Sequence, residues 1–526
     1  MARLHEYQGK DLLAAAKISI PKGRLAHSPE EARDIAAEIG GPVVLKAQAW
    51  ITGRAAVGAI RFVKQAAEVV DIAREMMSMT INGVPVDILL VEQMLEIERE
   101  FYAGVIIDDQ EQAPLVIFSS RGGSGIEEIA EQHPEAVSRL VVDVQRGLLD
   151  YQARDLVRRA GLSGQLLLQM GTFIQRLYGV ARQYDARAAE INPVALTSSG
   201  ALVAADCRIT LDDYAVFRHP ELGIEIAREF DRPPTDLERI AWEVEKNDYR
   251  GTFYFIQLEH GFKTGDGVLG FHGAGGGGSM MSMDALQRYG YRPANFVDTS
   301  GNPPASKVYR AARIILHQAG LDGYFASGSG VASQEQFHSA RGLAKAFLET
   351  PLTIPAVLRL GGNAEEKAID ILQRASVFLP APIACFGKDD SPEYCASHMD
   401  TLIRSFTPAT TVQPPLPAWE LPQDPYSFET VTGGRITFDH AKCRACESKA
   451  CIQACVPQIL RLEDGVPLLA ISPEAAKEGR CIECLACEVD CFLEGNRGAR
   501  IDLPIPGLDD EKHAPHAIEC SPKRGM

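Results

Sequence analysis

The amino-acid sequence predicts an α/β protein followed by a small cysteine-rich module. Between residues 245 and 400, segments with strand character alternate with helical segments, and glycine-rich stretches follow several of the strands. This alternation is typical of a parallel, doubly wound sheet. The first 235 residues also mix helices and strands. Eight of the 12 cysteines fall between Cys443 and Cys491, which sets that stretch apart from the rest of the chain.

Length and composition predict how the chain is divided. A chain of 526 residues is too long for one hydrophobic core and indicates several domains. Prolines recur between Ser405 and Tyr426, which is typical of an extended linker. The expected divisions are an α/β domain at 1–235, a second α/β domain at 245–400, a linker at 405–428, the cysteine-rich module at 429–502 and a tail at 503–526.

Charge and hydropathy limit the partners and the compartment. The formal net charge of −17 argues against a nucleic-acid or anionic membrane surface. The first residues lack the apolar core of a signal peptide, and no apolar run approaches the roughly 20 residues of a membrane-spanning helix. We therefore expect a cytoplasmic protein without membrane insertion.

The first α/β domain offers a candidate phosphate site. Lys46 lies on a predicted strand at 43–48, and a small glycine-containing loop follows at 52–58. Backbone N–H groups of such a loop can approach phosphate oxygens, to which a lysine adds a positive charge. An ordinary glycine-rich hairpin is the alternative. Glu92 ends another apolar strand, where it could accept a hydrogen bond from a ribose or a base, or only face solvent.

Hard oxygen ligands follow later in the same domain. Glu190 and Asn192 alternate on one predicted strand, so both side chains lie on one face. Asp206 ends the next strand. Magnesium takes few protein oxygens and completes its shell with water and substrate phosphates, and these residues could supply them. A solvated sheet edge is the alternative.

The second α/β domain has three glycine-rich strand ends. They are 273–279, 327–330 and 361–363. Ligands of parallel sheets bind at the carboxyl ends of the strands, where loop N–H groups and helix N-termini favour anions. The three ends together predict an anion-binding edge.

The cysteine spacing predicts two [4Fe–4S] clusters. The second run, Cys481, Cys484, Cys487 and Cys491, matches the bacterial dicluster ferredoxin pattern, in which the fourth cysteine of each run binds the cluster of the other run. The first run has four residues, 447–450, where two are usual. The expected ligand sets are Cys443, Cys446, Cys451 and Cys491 for one cluster, and Cys455, Cys481, Cys484 and Cys487 for the other.

Zinc and disulfide bonds are the alternatives for these cysteines. Zinc would take four ligands at each site, and the interleaved pattern of eight cysteines favours clusters. Disulfide bonds need an oxidising compartment, to which nothing in the sequence directs the chain. The other four cysteines are scattered and predict reduced thiols: Cys207, Cys385, Cys395 and Cys520.

An ordered set of motifs in residues 1–400 resembles the beta subunit of succinyl-CoA synthetase. The motifs are Leu4–Gln8, the Lys46 strand, Thr52–Arg54, Leu90–Glu92, Glu100, Gly122–Gly123 with Ile126–Glu127, and Glu190–Pro193. The resemblance implies an N-terminal ATP-grasp domain and a flavodoxin-like CoA-ligase domain after it. The cysteine pattern separately predicts a small ferredoxin-like α+β domain behind them.

The resemblance also implies roles for individual residues. Contacts to ATP or GTP are implied for Lys46, Gly53, Arg54, Ala55, Glu92 and Glu100. It implies that Asn192 and Asp206 hold Mg²⁺, and that Glu190 lies beside a phosphohistidine of a partner subunit. Near the carboxylate substrate and the phosphohistidine loop it places His272, Gly328, Ser329 and Gly330.

Three departures from the family bear on these roles. Ala56 stands where the nucleotide loop of the family has lysine, and His272 stands where it usually has asparagine. The segment Asp298–Pro303 is more similar to ATP-citrate lyase and citryl-CoA synthetase. The carboxylic acid is therefore left open.

The implied function is acid–CoA ligation with a partner. ATP phosphorylates a histidine, the histidine phosphorylates the acid, and CoA displaces the phosphate. The resemblance places the histidine and the CoA site on an alpha subunit. The clusters perform no step of this reaction, so we expect them to connect the ligase to a redox enzyme or to be structural. The competing interpretation is an electron-transfer subunit with a degenerate ligase scaffold.

Overall fold

The computed structural model describes residues 2–49, 57–81, 84–123, 125–225, 230, 232–250, 252–328, 330, 332–407 and 422–509. The chain forms two compact units, Met1–Pro234 and Thr235–Met526. None of the helices in these described ranges combines the length and apolar character needed to cross a bilayer.

The first unit is built on two antiparallel sheets with helices packed on them. Its strands are β1 (Ala2–Arg3), β2 (Gly23–Ala26), β3 (Val43–Ala47), β4 (Ile60–Val63), β5 (Thr80–Ile81), β6 (Val84–Pro85), β7 (Leu89–Gln93), β8 (Ile97–Asp108), β9 (Ala113–Ser119), β10 (Val137–Val141), β11 (Ala186–Thr197), β12 (Leu202–Ala204) and β13 (Cys207–Leu211). Its helices are α1 (Glu6–Ala15), α2 (Pro29–Ile39), α3 (Val69–Met77), α4 (Ile126–Gln132), α5 (Asp150–Arg159) and α6 (Gly164–Gln183).

Local sequence signals set the helix boundaries and strand order of this unit. The Ser28 hydroxyl accepts a hydrogen bond from the backbone N–H of Glu31 and begins α2, which Gly40 ends with a positive φ of 73°. The larger sheet has the order β1-β13-β11-β8-β9-β10, with β12 paired to β11, and the smaller has the order β2-β7-β3-β4. Strands β8 and β11 therefore lie side by side and carry the predicted ligands Glu100, Glu190 and Asn192.

The second unit contains a mostly parallel sheet and the cysteine-rich segment. Its strands are β14 (Tyr254–Gln257), β15 (Val268–Ala274), β16 (Arg292–Pro293), β17 (Asn295–Asp298), β18 (Gly323–Gly328), β19 (Ala356–Arg359), β20 (Ile383–Phe386), β21 (Pro425–Glu429), β22 (Arg435–Asp439), β23 (Leu460–Glu463), β24 (Val466–Leu469) and β25 (Ala499–Asp502). Its helices are α7 (Asp236–Lys246), α8 (Gly276–Arg288), α9 (Ala305–Leu316), α10 (Phe337–Glu349), α11 (Glu365–Ser376), α12 (Pro392–Ser405), α13 (His440–Arg444), α14 (Ala450–Gln453), α15 (Pro473–Ala475) and α16 (Ala486–Glu494).

The predicted strand–helix alternation between 245 and 400 is observed. The sheet has the order β14-β17-β15-β18-β19-β20, and all its pairs are parallel except that of the edge strand β14. Strands β15, β18 and β19 are buried almost along their whole length, as expected of central strands in a parallel sheet that helices cover on both faces. Their carboxyl ends lie at one edge, as the sequence predicted.

The cysteine-rich segment packs on helices that cover this sheet, chiefly through α10 and α16. Strands β21, β22 and β25 form a three-stranded antiparallel sheet, and β23 and β24 form a hairpin. Phe347 of α10 and Phe438 of β22 belong to one continuous hydrophobic core. The predicted tail begins inside that core, because Ile505 is fully buried in it. The segment is therefore part of the second unit, and not separate from it.

Candidate functional site

Lys46 and Glu92 belong to a buried cluster of two lysines and two glutamates. The Lys46 Nζ atom lies 2.7 Å from Glu6 Oε1 and 3.0 Å from Glu92 Oε2. The Lys10 Nζ atom lies 2.6 Å from Glu92 Oε1 and 2.9 Å from Glu6 Oε1. Both ammonium groups also donate to the carbonyl oxygen of Ala205. The cluster joins α1, β3, β7 and the turn before β13.

This cluster keeps Lys46 charged despite its burial. Burial alone would lower the pKa of Lys46, but the carboxylates of Glu6 and Glu92 outweigh it and raise that pKa above its ordinary value. The carboxylate of Asp206 acts in the same direction. Lys46 and Glu92 thus already have ionic partners within the first unit, and their predicted contact with a nucleotide stays a prediction.

Glu190 lies beside a tyrosine that the sequence analysis did not single out. The Tyr102 hydroxyl donates to Glu190 Oε1 at 3.0 Å from the neighbouring strand. Burial raises the pKa of Tyr102, and the charge of Glu190 raises it further, so the hydroxyl stays protonated. Arg208 lies opposite Glu190 in the strand register. The Tyr102 hydroxyl therefore orients the Glu190 carboxylate from the neighbouring strand.

The predicted magnesium ligand Asn192 contacts both Asp206 and Gly123, and Glu100 lies beside the same glycine. The backbone N–H of Asn192 donates to the Asp206 carbonyl at 3.3 Å, and Asn192 Oδ1 accepts from the N–H of Gly123 at 2.9 Å. Gly123 has a positive φ of 87°, and a Cβ atom there would overlap with the Glu100 carboxylate. The residues predicted to hold magnesium supply one amide and one carboxylate, the small protein share that Mg²⁺ usually takes.

Part of the predicted nucleotide site lies outside the described residues. This applies to Gly53, Arg54, Ala55 and Ala56. Their predicted roles, and the missing lysine at Ala56, therefore remain matters of sequence.

The three glycine-rich strand ends of the second unit meet through loop hydrogen bonds. Asp298 Oδ1 accepts from the N–H groups of Gly275 and Ser300, at 3.2 and 2.8 Å. The Asn363 side chain donates to the Ser333 carbonyl at 2.7 Å. Ala274 and Gly328 lie opposite each other in the parallel register. The predicted edge thus joins the ends of β15, β17, β18 and β19.

Arg359 holds the predicted substrate loop through hydrogen bonds to backbone carbonyl groups. One guanidinium N–H donates to the Gly328 carbonyl at 2.7 Å, and another donates to the Asp390 carbonyl at 2.7 Å. The same guanidinium group lies close to Gly330, which has a positive φ of 76°. Ser329 lies outside the described residues. Arg359 was not predicted as a site residue.

His272 lies inside the parallel sheet. It is 3% exposed on β15, and its Nδ1 atom lies 2.6 Å from the Tyr324 hydroxyl on β18. Burial lowers the pKa of His272 to about 3, so the imidazole is neutral near pH 7. The glycine-rich loop begins beyond the end of its strand, at Gly275.

Within each of the two predicted groups of cysteines, thiols lie close enough together for their charges to act on one another. Burial and the charges of Cys491, Cys451 and Cys446 together raise the pKa of the Cys443 thiol to about 12. In the other group, burial is the main cause that raises the pKa of Cys481 to about 12, and the charges of Cys484 and Cys455 act in the same direction. Burial raises the pKa of Cys487, and the charges of Cys484, Cys481, Cys455 and Cys451 act in the same direction. Thiols of the two runs therefore lie near one another, and their division between two clusters stays a prediction.

The surroundings of these thiols suit a cluster that carries several thiolates. A small cavity is lined by Cys443, Cys446, Cys451 and Cys491. Burial raises the pKa of the Cys491 thiol, and the nearby backbone N–H groups of Ala499, Gly498 and Arg497 act against it. Burial alone would raise the pKa of Cys446, but the Ser448 hydroxyl and nearby N–H groups lower it. Such N–H donors stabilise thiolate sulfur.

No group of three or more histidines, cysteines or acids in the described part of the chain is arranged around a single metal ion. A cubane cluster does not need that arrangement, because each of its four thiolates binds a different iron atom. The 11 cysteines that the structure describes are free of disulfide bonds.

The functional residues that the sequence analysis missed are partners of predicted ones. Glu6 and Lys10 complete the ion cluster, Tyr102 holds Glu190, and Arg359 holds Gly328. Glu6 and Lys10 lie one helical turn apart on α1 and are both buried, at 5% and 2% exposure. A Glu–Lys pair on the apolar face of a predicted helix could have indicated a buried ion pair. Its partners, however, come from distant segments of the chain.

Comparisons with known proteins show the family of this chain. The family model described as an ATP-grasp domain matches residues 3–196. The GDP-forming succinate–CoA ligase subunit beta of Thermus thermophilus is 36% identical over 376 residues, which cover 72% of this chain and 94% of the relative. The ADP-forming subunit beta 2 of Archaeoglobus fulgidus is also 36% identical, over 70% of this chain and 92% of the relative.

A solved structure agrees at the level of the fold. The ATP citrate lyase of Methanothrix soehngenii has a TM-score of 0.61 and 20% identity, and the alignment covers 76% of this chain and 99% of that chain. The fold and the relatives together define an ATP-grasp enzyme of the ligase class. The chain belongs to the succinate–CoA ligase beta-subunit family. The predicted acid–CoA ligase class is thereby confirmed.

Proposed function

We propose that the chain is the nucleotide-binding subunit of a carboxylic acid–CoA ligase that works with an alpha subunit. That subunit would carry the phosphorylated histidine and the CoA site. The γ-phosphoryl group passes from ATP or GTP to the histidine and then to the acid, and the CoA thiol displaces it to give the thioester. The observation that most supports this proposal is that Asn192 contacts both Asp206 and Gly123, with Glu100 beside that glycine, in a chain of this family.

The residues of the first unit suit the phosphoryl-transfer half of this reaction. Charge positioned around the transferred phosphoryl group dominates its catalysis. Asn192 and Asp206 would hold Mg²⁺, which neutralises phosphate charge when bound. Lys46 and Glu100 would bind the nucleotide. Glu190, oriented by the Tyr102 hydroxyl, would accept a hydrogen bond from the partner's histidine and so present the other ring nitrogen to the phosphoryl group.

The strand-end loops of the second unit suit the acid half of the reaction. N–H groups at the start of α8 and the loop around Gly328 favour a carboxylate or an acyl phosphate. Arg359 holds this loop through its hydrogen bond to the Gly328 carbonyl. The acid remains to be identified among succinate, malate, citrate and related compounds.

We further propose that the eight cysteines of the two groups hold two [4Fe–4S] clusters in a ferredoxin-like module. The thiol grouping, with ligands exchanged between the two runs, supports this. The clusters would exchange electrons with a redox enzyme that reduces or oxidises the acyl-CoA product or its precursor. Such a partner would explain why a ligase carries clusters that its own reaction does not use.

Phosphoryl transfer to the co-purifying partner tests the ligase proposal. The full chain is purified anaerobically with its partner and given ATP labelled in the γ-phosphate. We expect acid-labile label on an alpha-like subunit, and Glu190→Gln should slow labelling about 100-fold while ATP affinity is kept. Glu128→Gln, which removes an exposed carboxylate on α4, is the matched control. Equal labelling rates in both variants would remove Glu190 from the proposed role.

Iron content and electron transfer test the cluster proposal. The full chain should bind about eight iron atoms, and Cys484→Ser should lose about half of them. Cys385→Ser, in a strand outside the module, should lose none. If acid-dependent oxidoreduction by the complex survives the loss of the cluster in Cys484→Ser, the electron-transfer role is wrong.

An electron-transfer subunit with a degenerate ligase scaffold is the second candidate. Ala56, in place of the lysine that the family has in its nucleotide loop, favours it. That protein would contain iron but would neither bind ATP with magnesium nor label a partner. The two measurements above therefore separate the candidates.

A further inference from the structure

Helix α16 connects the two predicted clusters to the ligase sheet. It carries Cys487 and Cys491, which belong to different ligand groups. Between these cysteines it carries two acids, Glu488 and Asp490. Helix α10 of the parallel sheet packs against α16. One helix therefore bears a ligand to each cluster and meets the ligase domain through its acidic residues.

Two buried cations of α10 meet these two acids. The Arg341 guanidinium is fully buried and donates to both carboxylate oxygens of Asp490, at 2.9 and 3.1 Å. One helical turn later, Lys345 is 2% exposed and donates to Glu488 at 2.7 Å. A guanidinium that binds a carboxylate with two parallel hydrogen bonds fixes both position and orientation.

The ion pairs across this contact share one charge polarity. Their cations come from helices α9, α10 and α11 of the ligase domain, and their acids come from residues 483–494. Two further pairs follow the same rule: Arg374 lies 2.7 Å from Glu494, and Arg310 lies 3.9 Å from Glu483. Lys345 also donates to Glu349 of its own helix, at 2.6 Å. A cysteine module alone would lack these ligase cations and would keep only charges of its own, such as Arg500 near Glu488.

We propose that the ligase domain sets the reduction potentials of the two clusters through Arg341 and Lys345. The inference rests on the proposed cluster function. Each cluster becomes more negative by one charge when it accepts one electron. Acids beside the thiolates oppose that charge, and cations in a buried environment favour it because solvent screens them little. The two residues thus act as positioning residues for α16 and as its counter-charges.

The proposal gives the fusion of the two parts a physical reason. A ferredoxin that is docked on this ligase would be easier to reduce than the same module alone. The potential at which electrons are exchanged would then depend on the intact contact between α10 and α16.

A redox titration of the full chain, monitored by electron paramagnetic resonance, tests the proposal. Iron is measured first, so that absence of clusters overturns the proposed cluster function separately. In Arg341→Gln, Asp490 is left uncompensated, and the reduced-to-oxidised ratio at a fixed ambient potential should fall about tenfold. Arg374→Gln removes the same charge from an exposed pair, 38% and 46% exposed, and should change the ratio less than about threefold.

The double variant separates charge from structure. Arg341→Gln combined with Asp490→Asn restores local neutrality, and its potential should return close to that of the wild type. A merely structural contact would leave the double variant no better than Arg341→Gln. An unchanged potential in Arg341→Gln with full iron content would overturn the proposal. If Arg341→Gln does not retain iron, Asp490→Asn decides: a higher potential supports the proposal, and an unchanged one overturns it.

Discussion

The two buried ion clusters of the chain distribute their charges in different ways. In the first unit, Lys10 and Lys46 alternate with Glu6 and Glu92, and α1 contributes one charge of each sign. In the second unit, the cations of the contact stand on the ligase helices and the acids on α16. The first arrangement closes on itself and holds one domain together. The second has complementary faces and holds two different modules together.

The difference shows what each cluster does for the protein. A closed cluster fixes the position of Lys46 and Glu92 without a ligand, so a nucleotide would meet a preformed site. Ion pairs that join the two modules couple the electrostatics of one module to the other.

The largest effect is expected when a lysine is removed from the closed cluster. Lys46→Met and Lys10→Met each leave two buried carboxylates with one cation, which should lower the free energy of unfolding by about 3–5 kcal/mol. Urea denaturation of the full chain measures this. Only Lys46→Met should also lose ATP affinity, measured under conditions in which both variants stay folded. Equal ATP affinity in the two variants would limit Lys46 to a structural role.

A smaller loss is expected at the contact between the modules. Arg341→Gln should lower the free energy of unfolding of the second unit by about 3 kcal/mol, because it leaves the Asp490 carboxylate without its buried partner. The exposed pair at Arg374 should contribute no more than about 1 kcal/mol. Thermal denaturation of the two variants measures the difference. Similar losses would mean that burial does not distinguish these pairs.

The smallest effect is expected at His272, which is buried and neutral, whereas the residues of the two ion clusters are charged. Its protonation should make the stability of the protein depend on pH. The pKa of His272 is about 3 in the folded chain because of burial, against about 6.5 in an unfolded chain. Below pH 6.5 the unfolded chain therefore binds a proton that the folded chain does not. Stability should fall as the pH falls, by at most about 1.4 kcal/mol per pH unit.

Replacement of His272 isolates this effect. His272→Asn should flatten the pH dependence between about pH 6.5 and 5 relative to the wild type. His338 is present in both proteins; burial, with a contribution from Arg341, lowers its pKa to about 4, and it cancels in the comparison. A wild-type slope that persists in His272→Asn would show that other groups cause it.

Local signals in the sequence predicted the elements well. Ser28 and Gly40 bound α2 because capping and a positive φ act within a few residues. The strand–helix alternation after residue 245 predicted the parallel sheet, because hydrophobic runs and glycine-rich ends are local as well. The exchange of Cys455 and Cys491 between the two ligand groups is inferred from the dicluster ferredoxin pattern and stays a prediction.

Long-range partners were not predictable in the same way. The sequence predicts nucleotide contacts for Lys46 and Glu92, but it does not predict their ion pairs with Glu6 and Lys10. It placed His272 near the substrate loop, and the structure buries the side chain against Tyr324. The linker prolines suggested a tethered module, while the described part of that module shares a core with the ligase sheet. Each of these outcomes depends on residues far apart in the chain.

The sequence by itself determined the family and the α/β alternation, because these are carried by residue types at short, fixed spacings. Only the tertiary structure decided which charges meet. The closed cluster around Lys46 and the contact between Arg341 and Asp490 each join segments that lie more than 80 residues apart along the sequence. Their energetics come from burial, and burial is a property of the folded chain.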